Sequence, residues 1–325
     1  MTSRVHLDTI RTMLRFFSRT PRLGLEITSS TIRLAIVSGS GADLRILHIG
    51  TVGLSEGLVT ESYSSANIQD CDELSNVLRQ YLAGAPAQTD RAALSLPDGV
   101  FRVQTLEFDE LPTRSTDRER LIRWRLEKAA AFDTSATVLR YQVLRQGERG
   151  YSVLACLVKQ SVLEQYESVL IRVGLEPWII GLSSFHTLNF YSPVITKNST
   201  VSALAHVTND SFTTIVTGAG GAKFYRFKEL KRGSGELKVK LVREIEDSLH
   251  FYTHMDRLQT SEVKRLYLVG ESAATDELAD ELHTAASLEV EVLSPAAVLA
   301  EPERGSSSSA WPVSMAAALG AGSAL

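Results

Sequence analysis

A β-meander followed by a helix occurs twice in this chain, and that duplication restricts the fold more than any other feature. In the first copy, extended apolar-rich runs at 23–27, 32–37 and 44–52 are separated by Ser, Thr, Gly and Asp. A helical run at 72–82 follows, with Leu74, Val77, Leu78 and Leu82 on one face, and a strand at 92–96 returns the chain. From Ser202 the order begins again. Leu25-Glu26-Ile27-Thr28 is matched by Ala205-His206-Val207-Thr208, each followed by a polar turn and a β-rich run. The second copy continues into a strand at 223–227, a helix at 241–257 and a strand at 265–270. Strand, helix, strand implies a crossover connection, and a doubled unit predicts two related lobes. A chain of 325 residues is long enough to give each its own core.

Between the copies the pattern predicts a strand at 102–108, a helix at 118–131, strands at 139–144 and 151–158, and a helix at 162–173. Gly174 stands where a helix C-terminus takes left-handed geometry, and Pro177 prevents continuation. The organisation read from the sequence is a first lobe over 22–100, an inserted α+β subdomain over 101–185 and a second lobe over 186–300. A Ser-rich exposed loop at 301–310 precedes a helix at 311–325 that returns to the core. Ahead of the first lobe, residues 1–21 form a basic amphipathic segment. Leu7, Ile10, Met13, Leu14 and Phe17 recur at helical spacing among Arg4, Arg11, Arg15, Arg19 and Arg22, which suits either peripheral contact with an anionic membrane surface or packing on its own protein or a partner.

Charge excludes one class of partner: a net −4 gives no basic face for nucleic acid. Cys71 and Cys156 are too few and too far apart for a disulfide framework or a zinc site, which fits a reducing compartment. No continuous apolar run opens the chain as a secretory signal would, so a cytoplasmic location is expected. His250 and His254 have the four-residue spacing at which two imidazoles can share a metal, but no third ligand is evident and no metal is expected. Gly218 to Lys223 lacks the Gly-Lys-Ser/Thr ending of a phosphate loop and reads as a hairpin turn. Ser95, Ser183 and Ser184 have no nucleophile-elbow setting, and Trp124 and Trp178 lie among core-spaced apolar residues, which predicts packing roles for both.

The repeated meander with an inserted α+β unit resembles the actin and sugar-kinase superfamily, and several strings resemble the PilM family within it. Gly24-Leu25-Glu26-Ile27-Thr28-Ser29-Ser30-Thr31-Ile32-Arg33 resembles that family's opening phosphate hairpin. Leu96-Pro97 with Phe101-Arg102, Arg123-Trp124-Arg125-Leu126-Glu127 leading to Ala131-Phe132, and Tyr141-Gln142-Val143-Leu144 resemble its inserted unit. Gly174-Leu175-Glu176-Pro177, the helix Arg243 to Tyr252, Leu268-Val269-Gly270 and Ala316-Ala317-Ala318-Leu319-Gly320 extend the resemblance in order to the C-terminus. It implies an α/β actin-like (ribonuclease H-like) two-lobed fold with an inserted α+β subdomain. The same plan is shared with FtsA and the cytoplasmic part of GspL.

By resemblance, the nucleotide cleft would be lined by Glu26, Thr28, Ser29, Ser30, His206, Thr208 and Gly270. The family's Asp and Gly are replaced by Glu26 and Thr28 in the first hairpin and by His206 and Thr208 in the second, and Glu271-Ser272 follow Gly270. Phosphates approach hairpin N–H groups most closely where glycine stands, and carboxylates order the metal's water shell. The replacements predict a degenerate cleft without significant ATPase and without a bound cofactor, ATP with magnesium being the rival expectation. The resemblance further implies a cytoplasmic scaffold, peripheral at the inner membrane, for type IV pilus or related secretion assembly. Its groove, with Arg102, Val103, Leu106 and Trp124 as candidate wall residues, would take the N-terminal cytoplasmic peptide of a PilN-like bitopic membrane protein. Motor ATPases are further candidate partners. The competing readings are an ATPase or kinase using the interlobe cleft and an FtsA-like polymer-forming membrane tether.

Overall fold

The structure, a computed structural model, describes residues 22–39, 44–85, 89–130, 134–147, 150–197, 201–218, 221–230, 237–255, 262–270, 275–286, 288–299 and 315–324. Segment 1–21, the loop 301–310, residues 311–314 of the closing helix, Phe132, Glu271 and Ser272 lie outside the described residues.

The first sheet is built from β1 (Arg22–Ile27), β2 (Thr31–Ser38), β3 (Arg45–Gly53), β4 (Arg91–Leu96) and β8 (Glu176–Leu182), in the order β3-β2-β1-β4-β8. β1 pairs antiparallel with β2 and parallel with β4. Both of its faces are buried, so its sequence is a near-continuous apolar run instead of an alternating one. The second sheet contains β9 (Ser202–Val207), β10 (Ser211–Gly218), β11 (Gly221–Glu229), β12 (Arg265–Gly270) and β13 (Glu289–Val292), in the order β11-β10-β9-β12-β13. It repeats the first in order and in pairing sense, antiparallel on one side of its central strand and parallel on the other. The expected duplication is thus present strand for strand. The Gly218–Lys223 segment is a hairpin: Gly218 pairs with Gly221, whose φ of +108° suits only glycine comfortably.

Inserted after β4 are β5 (Arg102–Phe108), α2 (Ser115–Ala130), β6 (Thr137–Gly147) and β7 (Gly150–Lys159), the strands forming a sheet in the order β5-β7-β6. α2 covers one face, burying Leu106, Ile122, Leu126, Leu139, Val153, Ala155 and Leu157. On the other side, Leu154 and Val158 join the core of the first lobe. α1 (Cys71–Ala83) is capped by Asp70, whose carboxylate accepts the Asp72 and Glu73 N–H groups at 2.8 and 2.9 Å. α3 (Gln160–Arg172) packs against α1 and β8. The remaining helices are α4 (Ser183–Ile195), α5 (Leu237–Met255), α6 (Thr275–Ala286) and α7 (Ala316–Ala324).

Several elements differ from the sequence reading. β8 falls within the segment expected for the insert, yet it is an edge strand of the first sheet, and the expected boundary at 185/186 falls inside α4. α4 itself has no readable amphipathic stripe because it is buried almost all round, and Pro193 lies within it. α6 and β13 complete the second lobe without having been expected.

One hydrophobic cluster runs from the first sheet into the second lobe, taking in Leu25, Leu34 and Leu94 together with Leu204, Ile215, Tyr225 and Val269. α7 lies between β1 and α4, where only small residues fit. A Cβ on Gly24 would stand 2.0 Å from the Ala318 carbonyl oxygen, and one on Gly320 would stand 1.9 Å from that of His186. Gly24, expected at the head of a phosphate hairpin, is required by this helix contact.

Candidate functional site

Two hairpin turns face each other across the cleft between the lobes, one joining β1 to β2 and the other joining β9 to β10. The cleft is lined by Glu26, Thr28, Ser29, Ser30, Arg33, Glu61, Pro97, Asp98, Ser183, His206, Thr208, Asn209, Asp210, Ser211 and Thr213. Six of the seven expected cleft residues therefore converge. Gly270 does not line it: its α-carbon faces Thr275 at the start of α6, where an added Cβ would stand 2.7 Å from the threonine hydroxyl.

The hairpins are closed by the same device. Thr28 N–H donates to the Thr31 carbonyl at 2.9 Å, and Thr31 N–H donates back to Thr28 Oγ1 at 3.1 Å. In the second hairpin Thr208 N–H donates to the Ser211 carbonyl at 2.9 Å, and Ser211 N–H returns to Thr208 Oγ1 at 3.1 Å. A threonine hydroxyl that folds onto its own turn competes for N–H groups that would otherwise face outward. Ser30 N–H also donates to Thr28 Oγ1, at 3.3 Å. Ser29 N–H donates to Glu61 Oε1 at 3.0 Å.

The carboxylates in the cleft are engaged within the protein. Glu26 and Arg33 are register partners across the first hairpin and form a buried ion pair at 2.7 Å. Ser183 Oγ donates to Glu26 Oε1 at 2.8 Å, and Ser95 Oγ donates to Ser183 Oγ at 3.1 Å. Asp98 follows β4 in a short 3-10 turn and takes three donors: Ser184 N–H at 3.1 Å, Thr213 Oγ1 at 2.7 Å and Tyr225 OH at 2.9 Å. The last two come from the second lobe, so this buried carboxylate ties the lobes together. Burial and the Asp98 charge hold the Tyr225 phenol well above its ordinary pKa, so it stays a donor. Burial raises the Glu61 carboxyl above the usual carboxylate range; its Ser29 hydrogen bond opposes this, and the charges of Asp210 and Glu26 add to it.

The expected groove residues do not share one surface. Leu106 is buried under α2, and Val103 packs against the core of the first lobe. Arg102 lies over the Tyr63 ring, 4.8 Å from its centroid. Trp124 is 47% exposed on α2 with the Lys128 ammonium over its ring, and Trp178 is 42% exposed beneath Arg91. Both tryptophans were expected to pack inside; each instead presents a face to a cation at the surface. His250 and His254 lie with ring centroids 4.5 Å apart and their planes tilted by 39°, and among the described residues no group of three or more His, Cys, Asp or Glu gathers as a metal site. None of the described helices is long and apolar enough to cross a membrane.

No family model and no curated protein matches the sequence. Among solved structures, the chain is similar to one from a PilM-PilN type IV pilus biogenesis complex, with 20% identity and a TM-score of 0.76 over 94% of this chain and 98% of the other. It is also similar to a Bacteroides thetaiotaomicron protein with an actin-like ATPase fold and unknown function, with 11% identity and a TM-score of 0.51 over 85% and 91% of the two chains. The fold is actin-like. The architecture implied by the sequence resemblance therefore holds along nearly the whole chain. Within an actin-like fold the paired hairpins are the places that can offer backbone N–H groups to phosphates, and here the N–H groups of Thr28, Ser29, Ser30 and Thr31 are all held internally.

Arg33, Glu61, Asp98 and Thr213 were not singled out from the sequence. Arg33 could have been found, because a turn at 28–31 places it opposite Glu26. Asp98 sits one residue beyond the Leu96-Pro97 string but carries no spacing signal. Glu61 lies in an aperiodic loop, and nothing local marks it.

Proposed function

We propose that this protein is a non-catalytic scaffold of a type IV pilus or related secretion machine, binding the N-terminal cytoplasmic peptide of a PilN-like bitopic inner-membrane protein. The observation that carries the reading is the structural likeness, over 94% of the chain, to a chain of a PilM-PilN complex. The inserted subdomain offers a physical basis for peptide capture. β5 is an edge strand, and an extended peptide can add to such an edge through main-chain hydrogen bonds while its side chains fill pockets. Arg102 stands on that edge strand and Trp124 on the helix that covers one face of its sheet, although Leu106 serves the core.

The cleft supports a scaffold over an ATPase. Its Glu26 is committed to Arg33 and Ser183, and in the first turn the N–H groups of Ser29, Ser30 and Thr31 are satisfied by Glu61 and Thr28. Peripheral attachment at the cytoplasmic face of the inner membrane through residues 1–21 completes the reading, and motor ATPases are candidate further partners.

The test is a pull-down of the full-length protein with N-terminal peptides of bitopic membrane proteins encoded near its gene, alongside an ATPase assay. One peptide is expected to bind, with no magnesium-dependent turnover of ATP. Failure of every peptide overturns the scaffold reading, as does robust turnover that Glu26→Ala abolishes.

A further inference from the structure

The loop between β3 and α1 is not a free connection. Val59 and Ile68 form an antiparallel bridge, and Thr60 N–H donates to the Asn67 carbonyl at 2.7 Å. Gln165 on α3 accepts the Asn67 N–H at 2.8 Å and returns its amide to the Ile68 carbonyl at 3.0 Å. The buried Asn67 amide also donates to Tyr166 OH at 3.3 Å. This small hairpin is therefore clamped to α3, and at its edge it delivers Glu61 onto the first cleft turn, where the carboxylate takes the Ser29 N–H at 3.0 Å. A carboxylate oxygen on a turn N–H is the same contact that a phosphate oxygen would make. Two other carboxylates of the cleft are compensated, Glu26 by Arg33 and Asp98 by three donors.

We propose that Glu61 is a built-in anion that occupies the phosphate position of the first hairpin and excludes phosphoryl ligands from the cleft. The inference deepens the scaffold reading, on whose inactive cleft it rests. It assigns the exclusion chiefly to one residue outside the hairpin, beyond the turn substitutions Thr28 and Thr208. A rigid loop holds the carboxylate in place, so an incoming phosphate must displace a tethered charge with Asp210 and Glu26 nearby, instead of displacing water.

The experiment measures binding of inorganic pyrophosphate and of ATP, each with magnesium, by calorimetry to the full-length protein and to its Glu61→Ala and Glu61→Gln variants. Melting temperatures confirm that each variant is folded. Glu61→Ala is expected to bind at least tenfold more tightly than the unaltered protein, and Glu61→Gln, which keeps an acceptor on Ser29 but no charge, to fall between them. With selective ¹⁵N-serine labelling, the Ser29 amide resonance is expected to shift on pyrophosphate addition only in the variants. Equal binding by all three proteins overturns the inference, as does an unshifted Ser29 resonance in a variant that binds. If Glu61→Ala fails to fold, Glu61→Gln alone decides, and no gain in that variant counts against the proposal. ATP turnover by the unaltered protein would instead overturn the scaffold reading, so the two failures are distinguishable.

Discussion

His186 shows how one buried residue contributes to the response of this protein to acid. It sits on α4 against α7, is fully enclosed, and its Nδ1 has no hydrogen-bond partner within the protein. Burial lowers its pKa from 6.5 to about 4. The unfolded chain therefore binds a proton at a pH where the folded chain does not, and stability falls as pH drops from about 6.5 towards 4, then levels off. At about 1.4 kcal/mol per pKa unit, the loss across that window is ~3 kcal/mol. Glu61 works in the opposite direction, since its raised carboxyl pKa makes the folded state the better proton acceptor. The His186 share is isolated by comparison: His186→Leu is expected to flatten the decline in chemical-denaturation stability measured between pH 6.5 and pH 4.

At the scale of elements, α7 is the piece whose composition is explained only by its surroundings. Its Ala-Ala-Ala-Leu-Gly-Ala-Gly run carries no amphipathic pattern, because the helix is enclosed by β1 and α4 on different sides. The contact at Gly320 is backbone against backbone, so neither partner can move a side chain aside. Gly320→Ala is expected to cost about 1–3 kcal/mol through overpacking, even though alanine favours helix intrinsically, and a lowered urea midpoint with an unchanged slope checks it. The same context explains why the sequence showed the strands of both meanders clearly but not α4. Strand runs bounded by turn residues are local signals, whereas a helix buried on all sides has no polar face to mark its period.

For the whole molecule, apolar packing and Asp98 both cross between the two lobes and are expected to couple their unfolding. Phe185 of α4 stacks on Tyr225 of β11, with centroids 5.6 Å apart, beside the hydroxyl that reaches Asp98. Asp98→Ala leaves three donors without their acceptor and is expected to cost about 3 kcal/mol, with Asp98→Asn costing less because it retains one acceptor oxygen. Thermal unfolding followed separately by tryptophan fluorescence and far-UV dichroism checks the coupling. Coincident transitions are expected in the unaltered protein, and separated ones in the alanine variant.

The sequence by itself determined the duplicated meander, the insertion after β4 and the presence of Glu26, Thr28, His206 and Thr208 at the cleft turns, since each is written in local periodicity or in residue identity. Tertiary structure decided what those turns do. Whether Thr28 would intrude on a ligand or fold back onto its own N–H groups depends on turn geometry, and whether the remaining N–H is open depends on Glu61, carried in from a loop that α3 clamps. Gly24 makes the same point, because it is required by a helix that arrives from a distant part of the chain. Contacts between residues far apart in sequence leave no period to read, and only the folded chain brings them together.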